Sequence, residues 1–261
     1  MASFSVSRPF AEKMSVGRPA VAVPVSPRVV PRSTRISCIQ QAQLFRGLSL
    51  AECAEVASAA QERCFSRGQT IFREGDAMRS VLVLVAGRVK LTQLSRLGSE
   101  IIFRVGETGG VLDGLGLSAN SVRRLTAVAL GQCRVLAWDA RSFAALEGRF
   151  PAVRRNAVAI LAERLRALEE RFLELATEQV APRLARMLVR LLEPCVRGSQ
   201  SINRVELSQE ELAQMVGTTP FTISRLFSGW EKRGVLRTRR EAVVILDPRG
   251  LIDLAESGNE R

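Results

Sequence analysis

Residues 207–230 read LSQEELAQMVGTTPFTISRLFSGW and hold the side chains best suited to reading another molecule. Arg225 can grip guanine O6 and N7 with two hydrogen bonds, Ser224 and Ser228 can reach a base edge or a phosphate, and Phe221 can pack on a thymine methyl. These four share one helical face, because Ile223, Leu226, Phe227 and Trp230, spaced i, i+3, i+4, i+7, occupy the other. Ser208, Thr218, Thr219 and Thr222 complete the candidate DNA-contacting set, together with Arg239 and Arg240 further along the chain.

The elements that must position these groups are legible from their caps. Ser208 and Glu211 form a capping box, which predicts a first helix over Gln209–Val216. Gly217 suits the left-handed residue that ends it. Thr219 caps a second helix, Pro220 takes its first position and Phe221 to about Trp230 follows. Ala213 is small enough to let the two helices approach. This is helix-turn-helix spacing. Beyond Gly234, Val235–Thr238 and Val243–Leu246 read as two strands joined by a turn that carries Arg239 and Arg240. Such a wing would place those two and Arg237 against phosphates, which orient a protein on DNA without reading its sequence.

Composition narrows the alternatives. The chain has 261 residues, enough for about two folded units, with 46% hydrophobic and 25% charged residues, as in a soluble globular protein. Apolar stretches such as Leu125–Cys133 fall far short of the ~20 residues that span a bilayer, and no signal peptide is visible. Histidine and tyrosine are absent, which excludes His-based triads, His metal sites and His-ligated haem. The five cysteines, Cys38, Cys53, Cys64, Cys133 and Cys195, show no C-x-x-C spacing and read as free thiols in a reducing cytoplasm. No P-loop and no nucleophile-base pair points to an enzyme. The formal charge is +12, which favours a polyanionic partner without choosing among nucleic acid, anionic lipid and phosphate-rich ligands. Residues 181–240 carry 11 Lys or Arg against 5 Glu, half of that excess in less than a quarter of the chain, so the polyanion is expected there.

Elsewhere the chain divides by hydrophobic period. Residues 1–37, rich in Ser, Arg, Val and Pro, read as a disordered tail. Ser49 and Glu52 make another capping box and open a short helix to about Ala60. Six short segments then read as strands of a sandwich or barrel: Thr70–Phe72, Val81–Val85, Val89–Leu91, Ile101–Val105, Leu125–Leu130 and Arg134–Trp138. After Pro151 the period changes. Val158, Leu161, Leu165, Leu168, Phe172 and Leu175 recur at steps of three and four, with Arg164, Arg166, Glu169, Glu170, Arg171 and Glu174 around them. That is the seam of a coiled-coil dimer helix, although an amphipathic helix packed on its own domain would carry the same pattern. Val180–Leu192 predicts one more helix.

With these residues in place, the chain resembles the Crp/Fnr superfamily of bacterial transcription regulators over about Cys38 to Glu256. The resemblance rests on LFRGLS (44–49), RGQTIFREGD (67–76), VLVLVAGRVKLTQLS (81–95), the heptad helix and ELAQMVGTTPFTISRLFSGWEKRGVL (211–236). It implies an α+β fold: an N-terminal cyclic-nucleotide-binding-like β-roll sensor over 38–145, a long dimerisation helix over 146–179 and a C-terminal winged helix-turn-helix over 180–256. It also implies a homodimer on a palindromic double-stranded DNA operator, with RNA polymerase as a further candidate partner and no membrane.

Two departures bear on the signal and the operator. Nucleotide-binding members hold the ribose with a Gly-Glu pair and the phosphate with an Arg-Ser pair. Here the Glu position is Val111 counting from Gly106, or Asp113 counting back from Arg123, and Arg124 follows Arg123 where serine is expected. Val111, Asp113, Arg123 and Arg124 therefore mark an effector pocket poorly suited to cyclic AMP, and no cofactor is assigned. An iron-sulfur sensor would need clustered N-terminal cysteines, and only Cys38 precedes the β-roll. On the recognition helix Pro220 and Phe221 stand where many members carry Arg and Glu, so the preferred half-site is expected to differ. A cyclic-nucleotide-binding module with another output, such as a kinase subunit, is the competing reading. The C-terminal helix-turn-helix argues against it.

Overall fold

Ser80–Ala86 is apolar at nearly every position, and a strand with that composition must be covered on both faces. The rest of the N-terminal half supplies the two covers. The computed structural model of the chain describes residues 32–96, 98–116, 121–196 and 203–256.

Helix α1 (Arg32–Gln41), a 3-10 turn at Gln43–Phe45 and helix α2 (Leu50–Ser58) lead into eight strands. These are β1 (Gln61–Phe65), β2 (Thr70–Phe72), β3 (Ser80–Ala86), β4 (Val89–Leu94), β5 (Glu100–Gly106), β6 (Val111–Asp113), β7 (Thr126–Ala129) and β8 (Cys133–Asp139). They form two antiparallel sheets in the orders β1-β8-β3-β6 and β2-β7-β4-β5. Leu82 and Leu84 point between the sheets and pack with Leu91, Leu112, Ala127 and Val135. Val81, Val83 and Val85 point the other way, toward Phe45, Val56 and Trp138 and the helices that carry them. Trp138 anchors that second layer. Its ring lies 5.2 Å from the Phe45 ring, and its indole N–H donates to the Val56 carbonyl at 2.9 Å.

Asp139 caps α3 (Ala140–Arg149), and Pro151 starts α4 (Pro151–Thr177), a helix of 27 residues. α5 (Val180–Val196), β9 (Arg204–Val205), α6 (Gln209–Val216), α7 (Pro220–Lys232), β10 (Leu236–Arg239), β11 (Ala242–Ile245) and α8 (Pro248–Glu256) complete the chain. The last sheet runs β10-β11-β9. Leu184, Leu188, Leu212, Ile223, Phe227, Trp230, Leu236 and Leu251 form the core of this winged-helix unit, and Ile102 from β5 is buried in the same cluster.

Three differences from the sequence expectations have clear causes. The chain is already helical from Arg32, inside the segment read as a tail, because Ile36 and Ile39 pack on the Trp138 layer and Arg35 pairs with the buried Glu62 at 2.9 Å. Residues 1–31 of that expected tail lie outside the described residues. β1, sequence QERCF, escaped notice because it gains its place by pairing along β8, from Gln61 opposite Ala137 to Phe65 opposite Cys133, and not by an apolar pattern. α8 begins at a proline and is held by Leu251 and Ala255 against α5, where Arg186 donates to the Ala255 carbonyl at 2.8 Å.

Leu188 is fully buried at the centre of the winged-helix core. Leu188→Ala should lower unfolding stability by ~2–5 kcal/mol, the usual cost of such a cavity. Urea titration followed by tryptophan fluorescence measures it, and an unshifted midpoint would remove Leu188 from that core.

Candidate nucleic-acid interface and sensor site

The helix-turn-helix is built by its caps. Ser208 Oγ accepts from the Glu211 N–H at 3.2 Å, while the Glu211 carboxylate accepts from the Ser208 N–H at 2.9 Å. Gly217 ends α6 with φ 72° and ψ 49°, a left-handed conformation that side chains disfavour. Thr219 Oγ1 accepts from the Thr222 N–H at 3.2 Å, a cap that starts α7 at Pro220. Ile223, Phe227 and Trp230 turn inward as the spacing predicts. Phe221, Ser224, Arg225 and Ser228 turn outward, Phe221 with 77% of its surface exposed. The Ser228 hydroxyl donates to the Ser224 carbonyl at 3.0 Å, leaving its oxygen as an acceptor. Thr218, Thr219 and Thr222 lie at the positive end of α7, and Ser208 at that of α6, where free N–H groups attract phosphate.

The wing follows directly. Arg237, Arg239 and Arg240 are exposed on β10 and the turn after it. Glu231, at the end of α7, fixes this strand by accepting from the Thr238 N–H at 2.6 Å and its hydroxyl at 2.7 Å. Those two bonds hold the Glu231 carboxyl below the usual carboxylate range. Glu241 in the wing turn pairs with Arg67 of the β-roll at 2.8 Å, a contact that residue spacing does not reveal.

At the sensor site the four expected residues separate. Arg123 donates to Asp113 at 2.8 Å and to the Ser80 carbonyl at 3.3 Å, and its guanidinium lies 4.1 Å from the Phe72 ring centre. Only 5% of Arg123 is exposed. Arg124 faces outward. The Val111 side chain is buried in the helix-covered layer, so this residue offers the site its carbonyl and not a side chain. Gly114, next to Asp113, has φ 100°, and a Cβ there would lie 2.6 Å from the Ser80 carbonyl oxygen. No side chain fits at 114.

Two partners of this site were hidden in the sequence. Arg104 of β5 donates to the carbonyls of Val111 and Leu112, and Arg164 of α4 donates to the same Val111 oxygen. Burial lowers the Arg104 pKa to about 9, helped by the nearby Arg164 charge and opposed by Asp113. Arg164 is lowered chiefly by burial as well, again opposed by Asp113. Only a sheet-facing position on α4 distinguishes Arg164 from its solvated neighbours, and a seam pattern alone does not give it.

The seam itself is uncovered. Val158, Leu161, Leu165, Leu168, Phe172 and Leu175 are 43–72% exposed along α4. Leu175 also lies against the Gly217 turn, where an added Cβ would meet its Cδ2 at 3.3 Å. Among the described residues no helix is long and apolar enough to cross a membrane.

Comparison with known proteins agrees with this arrangement. The cyclic nucleotide-binding domain model matches residues 62–149, and the Crp-like helix-turn-helix domain model matches residues 182–254. The cyclic AMP receptor protein of Thermus thermophilus is 29% identical over 195 residues, spanning 74% of this chain and 88% of the relative. The CRP-like cAMP-activated global transcriptional regulator of Mycobacterium tuberculosis is 24% identical over 211 residues, spanning 80% and 94%. The solved structure of FixK2 from Bradyrhizobium japonicum shares the fold with a TM-score of 0.65 at 24% identity, covering 75% of this chain and 96% of that one. A β-roll of the nucleotide-binding type joined to a winged helix-turn-helix defines a DNA-binding transcription regulator, a class distinct from enzymes. The chain belongs to the Crp/Fnr superfamily.

The Glu231 bonds give a pH-dependent prediction. A carboxyl lowered by folding adds stability above its unfolded pKa and loses it as pH falls through the folded value. Glu231→Gln should therefore melt below the parent at pH 7, with the gap closing below about pH 4. Thermal melts from pH 7 to pH 3 test this, and a gap independent of pH would show that the charge contributes nothing.

Proposed function

We propose that the chain acts as a cytoplasmic homodimer, joined along the α4 seam, that binds a palindromic operator and conveys a signal received by the β-roll. The observation that carries this reading is the pairing of an unpartnered apolar seam with an outward Phe221, Ser224, Arg225 and Ser228 face. Two recognition helices, one per protomer, address two half-sites related by the dimer axis. Arg225 reads a guanine and Phe221 a thymine methyl. Ser208, Thr218, Thr219 and Thr222, with Arg239 and Arg240, hold phosphates. A regulator so placed has RNA polymerase as its natural further partner.

Cyclic AMP is a poor candidate for the signal. The relatives from Mycobacterium tuberculosis and Thermus thermophilus carry cyclic AMP in their names, but here, of the two positions where a ribose acceptor is expected, Val111 is apolar and buried and Asp113 is engaged with Arg123. Calorimetry should detect no micromolar binding of cyclic AMP, and such binding lost in Arg123→Ala would reverse this view.

Each apolar seam side chain contributes roughly 1.5–3 kcal/mol when buried, so two charges should exceed the margin of the helix pair. Leu165→Glu with Phe172→Glu should sediment as a monomer, and a dimer would refute the seam.

Selection of bound DNA from a random pool supplies the operator for the remaining test. Arg225→Ala should cost ~1–3 kcal/mol on that operator and leave random DNA nearly unchanged. Replacing Arg239 and Arg240 by Ala should weaken both DNAs and lower the salt slope by about 0.9 for each lost phosphate contact. Equal losses on both DNAs for Arg225→Ala would move that residue to the backbone.

A further inference from the structure

We propose that β5 and α4 form a receptor for a small dianion, a phosphate monoester or a dicarboxylate, gripped between Arg104 and Arg164. The inference rests on reading the β-roll as a sensor and names the class of its signal.

Three arginines, Arg104, Arg123 and Arg164, surround one carboxylate, Asp113. Asp113 is spent on Arg123 at 2.8 Å. Arg104 and Arg164 have no carboxylate within salt-bridge distance among the described residues: Arg104 donates to the carbonyls of Leu112 and Val111, and Arg164 to that of Val111. Carbonyls supply only dipoles where two positive charges are drawn partly out of water. Charges so placed are ordinarily matched by opposite charge, so two guanidiniums without a carboxylate partner beside each other suit an occupant with two negative charges. The lowered pKa of Arg104, caused first by burial and then by the Arg164 charge, fits a site awaiting an anion. Guanidinium forks match phosphate and carboxylate oxygens with paired, charge-assisted bonds, which a carbonyl cannot equal.

The geometry disfavours a cyclic nucleotide as occupant. Its phosphodiester carries one charge, and Arg123, which would meet it, is paired with Asp113 and 5% exposed. A compact dianion needs neither Arg123 nor a ribose acceptor at 111 or 113. It would draw Arg104 and Arg164 off the Val111 and Leu112 oxygens. Arg164 immediately precedes Leu165 of the seam, so occupancy would alter the helix that joins the two protomers.

The test is calorimetric titration of the full-length chain, at constant ionic strength, with inorganic phosphate, succinate, acetate and cyclic AMP in parallel. Binding of phosphate but not succinate assigns the phosphate class, and the converse assigns the dicarboxylate class. In either case Arg164→Gln should weaken binding at least about tenfold, equivalent to ~1.4 kcal/mol, while acetate gives no signal. Arg104→Gln should do the same, but Arg164→Gln, on a helix surface, decides the matter if the β-roll variant fails to fold. The inference is overturned if neither dianion binds, if acetate binds as well, or if binding is unchanged in Arg164→Gln. Mobility shift on the selected operator separates the two levels: operator binding without dianion binding sinks only this inference, and dianion binding without operator binding sinks the regulator reading.

Discussion

A guanidinium drawn partly out of water places its N–H groups on acceptors, and Arg171 does so on two different units at once. It extends from α4 to the carbonyls of Phe103 at 2.5 Å and Ile102 at 3.3 Å on β5, and to the carbonyl of Met215 on α6. Burial and the charge of Arg190 lower its pKa, and Glu174 opposes them. Met215 lies in the last turn of its helix, where carbonyls lack intrahelical partners and attract positive charge. One side chain thus joins the long helix, the β-roll and the first helix of the DNA-binding motif. Moving β5 or α6 away would cost this partly buried guanidinium some of its acceptors, so Arg171 favours the placement in which all three elements meet.

The surrounding contacts extend this linkage. Ile102 gives its carbonyl to Arg171 while its side chain, 0% exposed, packs in the winged-helix core. Lys90 on β4 lies 3.2 Å from Glu100 and 3.7 Å from Glu211. Glu211 is also the capping residue that holds the start of α6. A change in β5 is therefore felt at both ends of α6, through Lys90 at its first turn and Arg171 at its last. Since α7 packs on α6 through Ile223 and Phe227, the recognition face follows.

What the sequence revealed and what it hid divide along the range of the interactions. Caps act within three or four residues, so Ser208 with Glu211, Gly217, and Thr219 with Pro220 located α6 and α7 to within two residues at every end. The strands β2 to β5, β7 and β8 carry their own apolar runs and were legible for the same reason. β1 and β6 depend on partners far along the chain: β1 pairs with β8, and the three residues of β6 pair with β3. The candidate site divides likewise. The outward set on α7 follows from helical period, but Arg104 and Arg164 are brought together only when α4 lies against the β-roll. A polar residue flanking a seam looks solvated until the surface opposite it is known.

The same distinction qualifies the basic charge. Within 181–240, the excess of Lys and Arg over Glu points to a polyanion, yet the three arginines of α5 serve the fold. Arg183 donates to the Glu178 carbonyl at 3.1 Å, Arg186 pairs with Glu178 at 2.5 Å and Glu174 at 3.4 Å, and Arg190 pairs with Glu174. They fasten α5 to the end of α4, so their charge is spent holding the winged helix to the long helix. Among the described residues of this window the exposed cations are instead Arg204, which lies 3.6 Å from Glu206, and Arg225, Lys232, Arg233, Arg237, Arg239 and Arg240 along α7 and the wing. A net charge counted along the chain overstates what meets DNA. The part that remains lies on the elements whose caps and wing bonds fix their direction, which is where charge can convert attraction into a defined docking geometry.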